Sequence, residues 1–318
     1  LKPQQSSLPE HALARLISVG ESAMARGAAA GLALLAAARL SAAFDPVDAL
    51  MMARLEQAVY CGKDRFERWD VGDSILHGPK VDPAKLRYVK HDATDAAAGV
   101  GRMREPKGCF VAIKGSTGTV DSLLDALFWP VDFGRKGCSG CKAEKGFLTY
   151  YESVKGGIFG ALEEFGCVDQ PLYLVGHSLG AAALTYHLFD LVYANYTVKR
   201  MYALESPRPG NQQFLDAMTA WAFDIDAWRV THYQDVVPHL PPWVTPFKHA
   251  LSEVYFTNET GTAYRTCRPE DDDKRCSGHW LPWQLKAKDH CWYADLNPCG
   301  CSNSSRTPPG ALESLLLV

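Results

Sequence analysis

The pentapeptide Gly176-His177-Ser178-Leu179-Gly180 fits the pattern G-x-S-x-G, and it lies between an apolar run at 172–175 and an Ala-rich, helix-forming run at 181–184. A serine on a strand-to-helix turn is held in a strained backbone conformation that lifts its Oγ above the sheet, and glycines flank it because side chains there would collide with neighbouring backbone. The chemistry such a residue performs is nucleophilic attack on an acyl carbon. A neutral hydroxyl attacks poorly, so it needs a histidine within hydrogen-bond reach to take its proton and a carboxylate to hold that imidazole in the right tautomer.

With this type of turn the acid follows the nucleophile along the chain and the histidine follows the acid. Asp235 fits the acid, because it comes directly after an expected strand at 227–232 and its loop ends in Pro238, Pro241 and Pro242. Asp224 and Asp226 precede that strand and read as solvated turn residues. Of ten histidines, His11, His77 and His91 come before the nucleophile and His187 lies in the helix after it. His177 reads as a packing residue turned away by the elbow, His232, His239 and His249 crowd Asp235, and His279 lies in a loop. His290, late and in a polar-to-aromatic segment, is the expected base. The oxyanion of an acyl-transfer intermediate needs two donors. One is the backbone N–H of Leu179, and the other is expected from Ser116 at the end of the apolar strand 110–113.

These residues need a frame. Strands are expected at 86–89, 100–103, 109–113, 172–175, 200–204 and 227–232, with helices at 147–165, 179–193 and 212–222. Such alternation calls for right-handed crossovers and a mostly parallel central sheet flanked by helices, an α/β fold. After Ser116, the residues Val120, Leu123, Leu124, Leu127 and Phe128 share one arc of a helix while Asp121, Ser122 and Asp125 fall opposite. A short amphipathic helix placed there is expected to act as a lid able to present an apolar face to lipid. The Ala-rich residues 1–52 read as a helical extension, either a helix pair packed on the domain or a pro-segment. The main domain is expected over 53–302, and 303–318 is a tail.

The whole chain of 318 residues carries 33 Lys+Arg against 36 Asp+Glu, a net charge of -3, which provides no footprint for nucleic acid. The longest apolar run, 28–38, falls well short of the roughly 20 residues that cross a bilayer. Ten cysteines and the sequons at Asn195, Asn258 and Asn303 point to an oxidising, secreted setting. The sequence begins at Leu1 with no Met and no charged-then-apolar leader, so any targeting peptide is expected to have been removed or left out of this sequence. No dinucleotide or phosphate-loop fingerprint is present, and Cys138-Ser139-Gly140-Cys141 lacks a second ligand pair at zinc spacing, so neither cofactor nor metal is expected.

Several local patterns taken together resemble the class 3 lipase family, of the fungal triacylglycerol lipase type, over roughly residues 53–301. Ala58 to Gly62 resembles the end of the family's first helix, and Lys114-Gly115-Ser116 resembles its Arg-Gly-Ser/Thr strand end. The Cys138 to Cys141 loop with Lys145-Gly146-Phe147 is similar to the segment after its lid, and Gly176 to Ala182 to G-H-S-L-G-G-A. Ser206-Pro207-Arg208 with Gly210-Asn211 matches S-P-R-x-G-N, Asp235 to Pro242 matches D-I-V-P-x-L-P-P, and Asp289-His290 with Tyr293 resembles the family's ending. The departures are Lys114 for Arg, Ala181 for the second Gly, Glu205 for the Gly before S-P-R, Pro209 for an aliphatic residue and Ser122 for the lid tryptophan of some members.

The resemblance implies an α/β-hydrolase fold, a triad of Ser178, Asp235 and His290, oxyanion donors at Ser116 and Leu179, and a lid over 117–129. It further implies disulfides joining Cys61 with Cys301, Cys138 with Cys141 and Cys267 with Cys276. Cys109 and Cys167 precede two strands expected to be neighbours and are paired on that ground, while Cys291 with Cys299 is assigned without a structural argument. The implied activity is a secreted, monomeric serine esterase that touches lipid surfaces transiently and cleaves triacylglycerols. A phospholipase A1, a feruloyl or other acyl esterase, and an inactive hydrolase-like scaffold that binds lipid or protein are the alternatives.

Overall fold

Asp45 starts the first helix, because its Oδ1 accepts hydrogen bonds from the amides of Val47 and Asp48 at 3.0 Å, and Pro46 supplies the fixed φ that suits a first helical turn. The computed structural model describes residues 43–116, 120–124, 127–222, 225–268, 274–291 and 296–301. The expected extension before residue 43 and the tail from 302 lie outside them, as do Asn303 and Tyr293. The boundary expected between 52 and 53 falls inside α1 (Pro46–Val59), which runs uninterrupted.

Short helices α2 (Lys63–Glu67) and α3 (Asp73–His77) lead into an antiparallel run of β1 (Lys80–His91), β2 (Ala96–Glu105) and β3 (Gly108–Ile113). After α4 (Val120–Leu124), the strands β4 (Pro130–Asp132) and β5 (Lys142–Glu144) form a small separate ribbon. Then come α5 (Lys145–Glu164), β6 (Leu172–His177), α6 (Leu179–Tyr193), β7 (Val198–Leu204), α7 (Gln212–Ala222), β8 (Asp226–His232), β9 (Ser252–Phe256) and β10 (Tyr264–Cys267). The main sheet has eight strands in the order β1-β2-β3-β6-β7-β8-β9-β10. Its centre, from β3 to β9, is parallel and both edges are antiparallel, so the carboxyl ends of β3, β6, β7 and β8 open on one side. In open α/β sheets that edge is where ligands bind.

The alternation of side chains along each strand divides the interior into two layers. Val111, Leu174 and Met201 face α5 and α6, packing on Tyr151, Val154 and Leu184. Ala112, Val175 and Tyr202 face the other way, toward Leu50, Leu55 and Val59 of α1. Five disulfides close among the described residues: Cys61–Cys301, Cys109–Cys167, Cys138–Cys141, Cys267–Cys276 and Cys291–Cys299. Asn195 is exposed on the turn after α6, whereas the Asn258 side chain is engaged twice with Thr262, donating to Oγ1 at 2.8 Å and accepting from N at 3.0 Å. No described helix is long and apolar enough to cross a membrane.

Candidate active site

Ser178 stands between β6 and α6 with φ 56° and ψ -128°, a left-handed backbone that only an over-determined turn holds. Its amide donates to the Leu204 carbonyl at 2.9 Å, which pins the elbow to β7. The glycines are required by space. A Cβ on Gly180 would lie 2.2 Å from the Ile113 carbonyl oxygen and 2.4 Å from that of Lys114, and one on Gly176 would lie 2.7 Å from the Gly180 carbonyl oxygen. The first turn of α6 thus presses onto the end of β3, and the Leu179 N–H sits among the first helical amides, which have no acceptor within the helix.

Asp235 follows β8 in a turn closed by its own amide donating to the His232 carbonyl at 3.0 Å. Its Oδ1 accepts from the Val237 amide at 2.9 Å and its Oδ2 meets His290 Nδ1 at 2.8 Å. Both residues are buried, Asp235 at 2 % exposure and His290 at 3 %. Burial alone would push the Asp235 carboxyl up, but the His290 imidazole, the hydrogen bonds it receives and the Glu205 side chain outweigh that and hold it below the usual carboxylate range. The short 3-10 turn Ala287–Cys291 carries His290, and it is fastened on several sides. Lys286 N donates to the Gln234 carbonyl at 2.7 Å, the His232 ring reaches the Asp289 carbonyl at 3.0 Å, and Cys291 is bridged to Cys299.

His177 supports His290, the expected base. Its Nε2 donates to the His290 carbonyl at 3.0 Å, and the two rings lie 4.6 Å apart, tilted by 34°. Burial, reinforced by the neighbouring His290, pushes His177 down to about 3, so it is a neutral donor throughout the physiological range. Three further histidines have separate partners. His187 is buried against Tyr151, His249 reaches the Pro238 carbonyl, and His279 reaches that of Cys276. Asp226, expected as a solvated turn residue, instead opens β8 and pairs with Arg200 at 2.9 Å, because the first strand residue lies beside its parallel neighbour. Asp224 lies outside the described residues.

The strand end expected to supply the second oxyanion donor comes close to the nucleophile. A Cβ on Gly115 would stand 2.9 Å from Ser178 Cβ and 3.0 Å from the His177 carbonyl oxygen, so the residue before Ser116 lies against the Ser178 elbow. Behind it, Tyr60 Oη accepts from the Gly115 amide at 2.9 Å, Tyr150 Oη donates to the Lys114 carbonyl at 2.7 Å, and Lys114 Nζ pairs with Asp95 at 3.0 Å. Sequence reasoning missed this buried scaffold, since its members come from four separate elements.

Of the helix expected over 120–128, the described residues show α4 as its first part and no helix at its last two positions. α4 ends at Leu124, residues 117–119 and 125–126 lie outside the described set, and Leu127 and Phe128 are non-helical. Pro130 biases Trp129, the residue before it, to extended backbone. Phe128 packs instead on Phe147, and Trp129 is tied to the start of α5, its carbonyl accepting from Lys145 N at 2.9 Å and its amide donating to Glu144 at 3.3 Å. Val120 and Leu123 are half-buried, and α4 packs on the turn that carries His290. Leu127 is 78 % exposed and Trp129 60 %. Beneath lies an apolar cavity of about 430 Å³ lined by Leu123, Leu127, Phe128, Phe147, Tyr150 and Leu179. No group of three or more metal-ligating side chains occurs among the described residues.

A Ser-containing elbow, an Asp and His in contact, and a parallel sheet that brings them to one edge define an α/β-hydrolase fold. The model of the class 3 lipase family matches residues 110–245. The chain is 31% identical over 261 residues to the secreted mono- and diacylglycerol lipase A of Penicillium cyclopium, covering 72% of this chain and 84% of that protein. It is 28% identical to a lipase of Rhizomucor miehei over 68% of this chain and 61% of that one. In fold it is similar to lipase II from Rhizopus niveus, with a TM-score of 0.71 at 24% identity over 81% of this chain and 97% of that one. The chain belongs to the class 3 lipase family, and it is a hydrolase of that family.

Proposed function

We propose that the protein is a secreted serine esterase that cleaves triacylglycerols at a lipid–water interface through an acyl-Ser178 intermediate. The observation that carries this reading is the 2.8 Å contact between His290 Nδ1 and Asp235, formed at the sheet edge where the Ser178 elbow stands. With Nδ1–H held by Asp235, the other ring nitrogen takes the Ser178 proton as Oγ attacks the acyl carbonyl. The negative oxygen that develops is met by the Leu179 N–H and by Ser116. His290 then protonates the leaving alcohol, and a water activated by the same ring releases the fatty acid. The apolar cavity beside Leu179 suits an acyl chain, and the exposed side chains of Leu127 and Trp129 suit the end of a lid that meets lipid. Five disulfides support secretion, and so does the secreted relative.

The test is hydrolysis of emulsified long-chain triacylglycerol, with fatty-acid release expected to fall by about a million-fold in Ser178→Ala. Equal rates in the two proteins would end the reading. A preference for partial glycerides is a second reading, favoured by the name of the Penicillium cyclopium relative. Rates on diacylglycerol and triacylglycerol emulsions, measured side by side, separate the two.

A further inference from the structure

Glu205 occupies the first position after β7, where the family pattern has glycine. Its φ is 51°, a left-handed conformation that glycine adopts freely and a side chain adopts at a cost. The Glu205 side chain is also fully buried, at 0 % exposure. Its surroundings lie between the nucleophile and the acid. The preceding carbonyl, of Leu204, receives the Ser178 amide at 2.9 Å, and the Glu205 amide donates to the Val230 carbonyl at 2.7 Å on β8, the strand that leads to Asp235.

The Glu205 carboxyl is within hydrogen-bonding reach of the Asp235 carboxyl. Two buried carboxyl groups that close cannot both be ionised, so a proton stays between them. The donors decide which group keeps it. Asp235 receives N–H bonds from Val237 and His290. Glu205 receives one, from the His232 amide at 3.1 Å, and its Oε1 is buried with no N–H or O–H directed at it. Glu253 also acts on Glu205 electrostatically, and its carboxylate pairs with Arg229 at 3.0 Å. Burial first, then the charge of Asp235, push the Glu205 carboxyl well above the usual range.

We propose that Glu205 is a positioning residue of this site, a protonated carboxylic acid whose O–H donates to the Asp235 carboxylate and fixes that carboxylate against His290. The role rests on the esterase reading of Ser178, Asp235 and His290. By sharing the Asp235 charge, the bond also limits how strongly Asp235 stabilises the His290 imidazolium. Removing the donor therefore makes His290 more basic, and the pH at which it becomes a competent base rises.

The test compares Glu205→Gln, which keeps a donor of the same shape, with Glu205→Leu, which keeps bulk but offers none. Both carry the same backbone strain. On a soluble short-chain ester, Gln is expected to retain kcat within about threefold, while Leu loses about tenfold in kcat at unchanged KM and moves the acid limb of kcat/KM up by about one pH unit. A Leu variant with the wild-type kcat and acid limb, or a Gln variant as impaired as Leu, would overturn the assignment. Infrared difference spectra of the wild type against Glu205→Gln at neutral pH read the same proton without folding of the Leu variant and without activity. The carbonyl stretch of a buried carboxylic acid is expected in the wild type and lost in Gln, and its absence from the wild type would also overturn the assignment. Because that spectrum is independent of turnover, its failure is distinct from a failure of the esterase reading, which the Ser178→Ala comparison decides.

Discussion

At the scale of single residues, the Asp235 and His290 contact makes a prediction about catalysis and another about stability. Asp235→Asn keeps the shape but offers His290 Nδ1 an ambiguous partner, so kcat on a soluble ester is expected to fall about ten-thousand-fold. The folded Asp235 carboxyl is held below its unfolded value, so its ionised form contributes stability that is fully present above the unfolded value of about 4 and is lost as pH falls through the folded one. Unfolding midpoints followed from neutral pH downward should therefore drop less steeply below about pH 4 in Asp235→Asn than in the wild type. Parallel curves would refute the linkage. The turn at Ser178 and the contact of Asp235 with His290 were legible because chain order and local context mark them. His177 and Glu205 were not, because each acts through one hydrogen-bond partner 30 or more positions away: His177 on the His290 carbonyl, a sequence separation of 113, and Glu205 on Asp235.

At the scale of elements, the elbow is a packing requirement as much as a turn. Gly180 lies where α6 meets the end of β3, and an added Cβ would meet two carbonyl oxygens and the Lys114 carbonyl carbon inside 2.7 Å. Those are backbone atoms, so relief requires moving α6 away from β3 and with it the Leu179 N–H. Gly180→Ala is expected to cost roughly 3 kcal/mol of stability and most of the activity, whereas Gly160→Ala, whose added Cβ meets nothing within 4 Å, should cost little. Chemical denaturation of both variants checks this, and equal losses would remove the argument. Strands and helices around the elbow were readable because each carries its own periodicity, with α6 and α7 beginning and ending where the pattern places them. The segment around α4 was not, since five apolar residues on one arc fit a longer helix until Pro130 and the contacts of Phe128 and Trp129 are known.

At the scale of the molecule, the Cys61–Cys301 bridge joins the residue after α1 and its C-cap to the chain beyond the His290 turn, across a separation of 240 residues. Gln57 of α1 reinforces it by donating to the Asn297 carbonyl at 2.9 Å. The parallel sheet holds Ser178 and Asp235 through its own hydrogen bonds, whereas the His290 turn lies outside the sheet and is held locally, by the Lys286 amide on the Gln234 carbonyl, the His232 ring on the Asp289 carbonyl and the Cys291–Cys299 bridge. A crosslink over so long a loop acts mainly by restricting the unfolded chain, with an upper value of about 5 kcal/mol and a usual yield of 2 to 4 kcal/mol. Replacing both cysteines by serine should therefore lower the thermal midpoint by about 10 °C. The native contacts of α1 with the sheet remain, so initial rates well below the transition should stay within about twofold of the wild type, because the reacting groups are still held by Asp235, His177 and His232. Calorimetry beside initial-rate assays on the double variant decides the matter. An unchanged midpoint would show that the bridge adds nothing to folding, and a large loss of rate at low temperature would show that it positions His290 in the native state instead.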